Sequence, residues 1–301
     1  MHPPLSPSAG RPGRYAFAAL ILANLVLALG PWMVRLADVG PVAAGFWRLA
    51  LAAPFLLLFA RWGAGARLAP AAGLIGLIAL GGFFFAADLA AWHIGITLTK
   101  LANASLFGNS SSFIFTLYGF LVLRALPRRL QLVALALAAA GSALLLGSSY
   151  ELSPGHFTGD LFAMLAGLFY TFYLIAVDRA RRTMAPMPVL AIATAAGTLP
   201  LLLIALALGE RVMPGDWTPL ILLSIGSQVV GQGLLVYAMG HLTPVVTGIG
   251  LLTQPAASAL IGWFAYRERL SLADAAGALL ICAALVLIRW PEKEEARSTP
   301  P

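Results

Sequence analysis

Apolar residues recur along the chain in runs of about twenty, separated by short breaks that are rich in glycine, proline or basic residues. A helix rises 1.5 Å per residue, so each run matches the roughly 30 Å thickness of a bilayer's hydrocarbon core. The pattern predicts an all-α membrane protein with ten transmembrane helices, at residues 15–34, 41–60, 70–93, 99–122, 130–148, 160–178, 187–208, 217–240, 244–266 and 272–290.

Composition excludes a soluble protein of this size. Of the 301 residues, 60% are hydrophobic and only 10% are charged, whereas a typical soluble domain has about 25% charged residues. The first apolar run follows Arg11 and Arg14 and so resembles a signal peptide. It continues to about Met33 without a small-residue cleavage site, which favours a retained first helix.

The basic residues lie at the ends of the predicted helices, and this distribution explains the net charge of +7 without a nucleic-acid partner. With the N-terminus inside, thirteen lysines and arginines fall in cytoplasmic segments and five in outer segments, while Arg48 lies within a span. Positive charge favours the cytoplasmic side. We therefore expect both termini in the cytoplasm, with residues 1–14 and 291–301 as cytoplasmic tails.

The two halves of the chain resemble each other. "PVAAGFWRLALAAPFLLLFA" from Pro41 aligns without a gap with "PVLAIATAAGTLPLLLIALA" from Pro188, and "LTKLANASLF" from Leu98 aligns with "LTPVVTGIGL" from Leu242. These matches predict two repeats of five spans, at residues 15–150 and 151–290. Because five is odd, the second repeat enters the membrane inverted, and inverted repeats are typical of secondary carriers.

The chain resembles the EamA-type carriers of the drug/metabolite transporter superfamily from about Tyr15 to Trp290. The marks are the duplication, an aromatic–Arg pair in "GFWRLALAAP", and Pro255 followed by Glu268 in "YRERL". Two further marks are "AAWHIGITLTKLANASLF" and "VYAMGHLTPVVTGIGLLTQP". The first half departs from the pattern, with Ser111 where Pro255 would align and Arg124 where Glu268 would.

The resemblance implies a carrier of small metabolites in a bacterial inner membrane, commonly of amino acids and often an exporter. Bacterial amino-acid exporters of the YddG group are the comparison that it suggests. Alternating access would rock the two repeats around a midplane cavity, with plausible flex points at Gly30–Pro31, Gly81–Gly82 and Pro255.

Two ionisable residues, Arg48 and Asp88, fall at similar predicted depths in the second and third spans. Charged residues inside a membrane are rare and tend to face the bundle interior. We expect the two side chains to pair across these helices. The pair is interpreted as a structural contact, as a site for the charged ends of a zwitterion, or, through Asp88, as a proton acceptor.

Other polar side chains are candidates for the cavity wall. Trp92 is four residues from Asp88 and so shares its helical face, either in the cavity or as an interfacial aromatic. His93 is interpreted as a solvated interface histidine. Interhelical hydrogen bonds, worth about 0.6 kcal/mol each, are the alternative role for the remaining candidates, which are Asn24, Asn109, Tyr170, Tyr173, Gln228 and Gln232.

No motif for catalysis, ATP hydrolysis or metal binding occurs in the sequence, and Cys282 is its single cysteine. We therefore expect a secondary or facilitative transporter with no cofactor and no metal, rather than an enzyme. Its partners would be a small-molecule substrate, the bilayer and, as a candidate coupling ion, the proton. The alternatives are an exporter of drugs or hydrophobic cations, or a membrane scaffold or enzyme. The oligomeric state stays open between monomer and homodimer.

Overall fold

The computed structural model describes residues 15–63, 72–98, 107–123, 129–147, 157–254, 257, 260, 261, 264 and 272–289. No strand occurs among these residues, which are helices joined by short loops. The first half contains α1 (Ala16–Leu27), α2 (Gly30–Leu36), α3 (Pro41–Gly63), α4 (Ala72–Leu98), α5 (Ser110–Leu123) and α6 (Arg129–Gly147). The second half contains α7 (Phe157–Arg181), α8 (Pro186–Ala207), α9 (Thr218–Leu223), a π-helical segment (Ser224–Gly231), α10 (Gln232–Met239), α11 (Pro244–Leu251) and α12 (Leu272–Arg289).

In the described part of the chain, six helical stretches are long and apolar enough to cross a membrane, as expected of a multi-pass membrane protein. They are Ala16–Leu36, Pro41–Arg61, Gly73–Leu98, Phe157–Arg181, Pro186–Ala207 and Thr218–Met239. Three shorter apolar helices are Ser110–Val122, Arg129–Gly141 and Ala275–Ala284. The predicted ninth span begins as α11 and continues into residues that are only partly described. The count of ten and the orientation remain predictions.

Helices of each half pack mainly on helices of the other half. α3 packs on α8, α5 on α11 and α6 on α12, which are the pairs that equivalent positions of two repeats would form. The contact of α4 with α7 likewise has its counterpart in the contact of α1 with the π-helical segment and α10. Each half therefore buries its apolar faces chiefly against the other.

Glycines let α4 and α8 approach closely. A Cβ atom built on Gly82 would lie 2.3 Å from the carbonyl oxygen of Ala193, and one built on Gly197 would lie 2.8 Å from the carbonyl oxygen of Gly82. Small residues allow such close backbone contacts between membrane helices. The Gly81–Gly82 pair thus lies in a packed and continuous part of α4.

The first span is interrupted at Ala28 and Leu29, just before the predicted flex point at Gly30–Pro31. Proline lacks an N–H and suits the first turn of a helix, where Pro31 lies in α2. Pro255, the third predicted flex point, lies outside the described residues.

The eighth predicted span changes its helical pitch between α9 and α10. Ser224–Gly231 is π-helical, with buried Ser224, Ser227, Gln228 and Gly231. Wide turns of this kind are rare and often occur at functional sites. The residues of this segment do not distinguish it from an ordinary helix with 3.6 residues per turn, so the sequence does not predict it.

Two loops from different halves meet at one end of the molecule. We call this contact the loop clamp; it joins residues 37–43 to residues 208–217. The Glu210 carboxylate accepts hydrogen bonds from the backbone N–H groups of Val42, at 3.2 Å, and Ala43, at 2.7 Å. Since the first N–H groups of a helix lack partners within it, Glu210 caps the N-terminus of α3.

Further bonds strengthen the loop clamp. The Trp47 Nε1–H donates to the Val212 carbonyl at 2.6 Å, and the Trp47 ring packs edge-on against Trp217. The Asp38 carboxylate lies 3.4 Å from an Arg211 nitrogen and accepts from the Gly215 N–H at 2.7 Å. That N–H holds the pKa of Asp38 below its usual range. The carboxylate contact therefore persists at neutral pH and is lost only as the pH falls through the lowered pKa.

We expect Glu210→Ala to lower the unfolding midpoint in detergent by roughly 2–4 °C. Loss of a helix cap costs about 1 kcal/mol, and a chain of a few hundred residues shifts by about 2–4 °C per kcal/mol. Glu210→Gln, which keeps one acceptor oxygen, should give an intermediate midpoint. Equal midpoints for all three proteins in a thermal scan would show that the cap contributes nothing.

Candidate substrate cavity

A cavity lies between the two halves, with walls from α1 to α5, α7, α10 and α11 and from the residues that follow α11. The space open to the centres of water-sized molecules is about 90 Å³. Leu27, Val34, Phe85, Leu89 and Leu251 give it apolar walls. The polar and aromatic residues on the wall are Arg48, Asp88, Trp92, His93, Asn109, Ser111, Ser112, Tyr170, Gln232 and Gln254.

The Arg48 side chain forms one hydrogen bond to the residues that the structure describes. Its side chain comes from the buried face of α3 and is 5% exposed. The Nε–H donates to the Gln228 Oε1 at 3.1 Å, and the guanidinium carbon lies 5.6 Å from the centre of the Phe85 ring. Within the described residues the two terminal nitrogens have no hydrogen-bond partner. Four N–H donors therefore remain for a ligand.

Gln228 is fixed in turn by its own bond. Its amide nitrogen donates to the Thr194 hydroxyl of α8 at 2.8 Å. Both residues are buried. The π-helical segment thus carries the group that orients Arg48, and this group is tied to α8 of the same half.

Asp88 faces the same cavity from α4, but it does not form the direct ion pair that the sequence predicted. Among the described residues, no Arg48 nitrogen lies within 4.0 Å of an Asp88 oxygen, and Asp88 has no hydrogen bond. The guanidinium is instead bonded through Nε to Gln228 of the π-helical segment. The cavity therefore presents an arginine and a carboxylate that do not neutralise each other by contact.

Two tyrosines and a glutamine form a network beside this pair. The Gln232 amide nitrogen donates to the Tyr170 hydroxyl, and the Tyr173 hydroxyl donates to the Gln232 Oε1, both at 3.3 Å. The Tyr173 ring stacks on Phe85 with 4.6 Å between centroids. Tyr170 and Gln232 reach the cavity wall, whereas Tyr173 is fully buried behind it.

His93 is not a solvated interface residue, so that interpretation is wrong. Its side chain is 0% exposed, and its ring forms part of the cavity wall beside Trp92. The Nδ1 atom lies 2.6 Å from the Pro41 carbonyl oxygen at the start of α3. Hydropathy placed His93 near the end of a span, but it does not show which way a side chain near that end points.

Comparison with protein families decides the identity of the fold. A model of the EamA-like transporter family matches residues 14–147 and, a second time, residues 157–290. This chain belongs to the EamA-like transporter family. The resemblance noted in the sequence is thereby confirmed, together with the two-repeat architecture of a membrane transporter.

A solved crystal structure shares this EamA-family fold. It has a TM-score of 0.75 and 18% sequence identity, over 91% of this chain and 95% of that chain. A comparison with curated proteins returns no match. At this identity the structural likeness extends to the fold and not to the substrate.

Six of the nine predicted site residues of this EamA-family chain line the cavity, and their substrate-binding roles stay predictions. They are Arg48, Asp88, Trp92, Asn109, Tyr170 and Gln232. The other three, Asn24, Tyr173 and Gln228, are buried in hydrogen bonds between helices. Asn24, for example, donates to the Gly250 carbonyl oxygen at 2.8 Å.

The cavity also contains residues that the sequence analysis did not select. Phe85 is three residues before Asp88, and Leu89 is four residues after Phe85 and three before Trp92, so the helical period of this stripe could have found both. Ser111, Ser112 and Gln254 are polar residues within the predicted fourth and ninth spans, but their residue types alone do not distinguish them from other polar residues there. No sequence signal identified His93.

Proposed function

We propose that this EamA-family transporter carries amino acids or similar small zwitterions by alternating access of its two halves around the cavity. The observation that supports this most is that an arginine and an aspartate line the same cavity without contacting each other. Arg48 has four N–H donors available for a carboxylate, and Asp88 offers a carboxylate to an ammonium group. Arginine recognises carboxylates well because its planar fork can donate two parallel bonds.

The size of the cavity agrees with a substrate of this class. About 90 Å³ is open to the centres of water-sized molecules, well above the roughly 10–15 Å³ of occupied volume that one water needs. The cavity therefore has room for several waters, or for a small polar molecule in their place. The aromatic and aliphatic walls would accept an apolar side chain.

Outward transport across a bacterial inner membrane is the direction and location that we infer from the family resemblance. In this proposal residues 15–150 and 151–290 are the inverted repeats, and both termini are cytoplasmic. Proton uptake by Asp88 is a candidate for coupling.

An exporter of hydrophobic cations is the second candidate, because Asp88 lies in a partly aromatic cavity. Arg48 argues against it, since its positive charge on the same wall would repel a cation that lacks an anionic group. The two candidates therefore differ in whether the substrate must have a carboxylate.

Counterflow in proteoliposomes tests the proposal. Vesicles are loaded with an unlabelled amino acid, and the labelled amino acid, its carboxamide and its desamino acid are offered outside. We expect the amino acid to accumulate and both analogues, each lacking one charge, to fail. Accumulation of the carboxamide or of a hydrophobic cation instead would favour the cation exporter. No accumulation across a panel of amino acids, with folded and inserted protein, would contradict the proposal.

A further inference from the structure

We propose that His93 is a specificity-determining residue that accepts a hydrogen bond from the ammonium group of the substrate. Asp88 and His93 together would then select primary amines over amines without N–H groups. The inference rests on the proposed function and adds a substrate class to it. It follows from the protonation of the imidazole ring, from an unpartnered nitrogen and from the position of the ring on the cavity wall.

The contact with Pro41 determines which ring nitrogen has the proton. Nδ1 lies 2.6 Å from the Pro41 carbonyl oxygen, and a carbonyl oxygen can only accept a hydrogen bond. Nδ1 therefore donates. Because an unpaired charge in an apolar interior is costly, the buried ring is neutral, and Nε2 is an acceptor with a free lone pair.

Nε2 has no hydrogen-bond partner within the described part of the chain. Buried polar atoms are nearly always hydrogen-bonded, and an exception needs an explanation. His93 and its neighbour Trp92 both line the cavity, and in this state the Nε2 atom is covered from water-sized molecules. A ligand with an N–H donor would satisfy the lone pair once alternating access uncovers the ring to the cavity.

The ring is held in this position by α3. The bond to Pro41 fixes one side of the ring. Gly45 of α3 packs closely against the same ring, since a Cβ atom built on it would lie 3.3 Å from both Cε1 and Nδ1 of His93. The Trp92 ring packs beside it with 5.6 Å between centroids. A ligand would therefore meet a fixed acceptor rather than a mobile one.

The chemistry of this pair differs from that of a carboxylate alone. Asp88 attracts any cation, whereas the neutral Nε2 lone pair interacts favourably only with an N–H or O–H donor. A primary ammonium has three N–H groups, enough for both acceptors. An N-trimethyl group has the same charge but no N–H group. We therefore expect an N-trimethyl amino acid to be a poor substrate.

Two variants of His93 separate the two ring nitrogens. Asparagine places an amide near the position of Nδ1 and can keep the bond to Pro41 while it removes the acceptor at Nε2. Glutamine reaches the position of Nε2 with its amide oxygen. The matched pair therefore tests the acceptor against a purely structural role of the histidine.

Counterflow is measured for the amino acid with the fastest wild-type rate and for its N-trimethyl derivative. We expect the wild type to prefer the primary amine. His93→Asn should raise the KM of the primary amine about tenfold, as loss of one bond to a charged group implies, and leave the N-trimethyl derivative unchanged. His93→Gln should recover most of the preference.

The outcomes distinguish the two proposals. An unchanged ratio of primary to N-trimethyl transport in His93→Asn, with wild-type transport of amino acids intact, would overturn the role of His93 alone. An equal fall in kcat for both substrates in both variants would show that His93 is structural and would also overturn it. Wild-type protein that moves no amino acid would overturn the proposed function and this inference with it.

Discussion

Arg48→Gln is expected to lower the kcat/KM of amino-acid counterflow by at least about a hundredfold. Each hydrogen bond to a charged group contributes about 1.5–3 kcal/mol, and the two terminal nitrogens of Arg48 would donate two such bonds to a carboxylate. A loss of about 3 kcal/mol already corresponds to a factor near one hundred at 1.4 kcal/mol per tenfold. Glutamine is shorter and uncharged, so it supplies neither bond with its full strength.

Initial counterflow rates in proteoliposomes with matched protein levels provide the measurement. Arg48→Lys keeps the charge but loses both the planar fork and the Nε bond to Gln228, so we expect intermediate activity. Arg61→Gln is the control on the same helix, since Arg61 is exposed at the other end of α3. A rate for Arg48→Gln within threefold of wild type would show that Arg48 does not bind the carboxylate.

Gly82→Ala is expected to lower the unfolding midpoint by several degrees. The added methyl carbon would lie 2.3 Å from the Ala193 carbonyl oxygen and 2.9 Å from the Ala196 Cβ. A backbone atom cannot move aside by a change of rotamer, so α4 and α8 would have to separate. Overpacking of a tight interior costs about 1–3 kcal/mol, and a chain of this size loses about 2–4 °C per kcal/mol.

Gly76→Ala is the matched control on the same helix. A Cβ atom on Gly76 meets nothing within 4 Å, and alanine favours a helix by up to about 1 kcal/mol over glycine. The midpoint of this variant should equal or exceed that of wild type in a thermal scan in detergent. If Gly82→Ala were as stable as Gly76→Ala, the close packing of α4 on α8 would not contribute to stability.

The membrane fold was predictable because its signal is long and repeated. Runs of about twenty apolar residues predicted the membrane helices. The gapless match between the segments that begin at Pro41 and Pro188 predicted two repeats, and the aromatic–Arg pair at Trp47 and Arg48 helped to predict the family. The π-helical segment was not, since Ser224–Gly231 has no residue type that distinguishes a wide turn from an ordinary one. The interruption of the first span lies at Ala28 and Leu29, two residues before the predicted flex point at Gly30–Pro31. Proline favours the first turn of the helix that follows and therefore marks the new helix rather than the interruption.

The site was only partly predictable because the position of a residue along a membrane helix does not show which neighbouring side chain it contacts. Arg48 and Asp88 lie on the same cavity wall, but the sequence could not show that Gln228 would hold the guanidinium away from a direct pair. Asn24, Tyr173 and Gln228 have the same residue types as cavity residues and bond between helices instead. The burial of His93 could be seen only with the backbone of α3 in place, because the Pro41 carbonyl there accepts a hydrogen bond from its Nδ1–H.

The loop clamp joins the two halves at one end of the molecule. It depends on acidic side chains that are not repeated at the equivalent positions of the other half. In the alignment of Pro41 with Pro188, Asp38 corresponds to Ala185 and Glu210 corresponds to Gly63. The two acidic residues that close this end thus have no acidic counterparts at the other. If the two halves exchange conformations during transport, the two resulting states would differ in energy although the backbone is pseudo-symmetric. An empty carrier would then spend most of its time with the clamped end shut, and a gradient or a bound substrate would have to supply the difference.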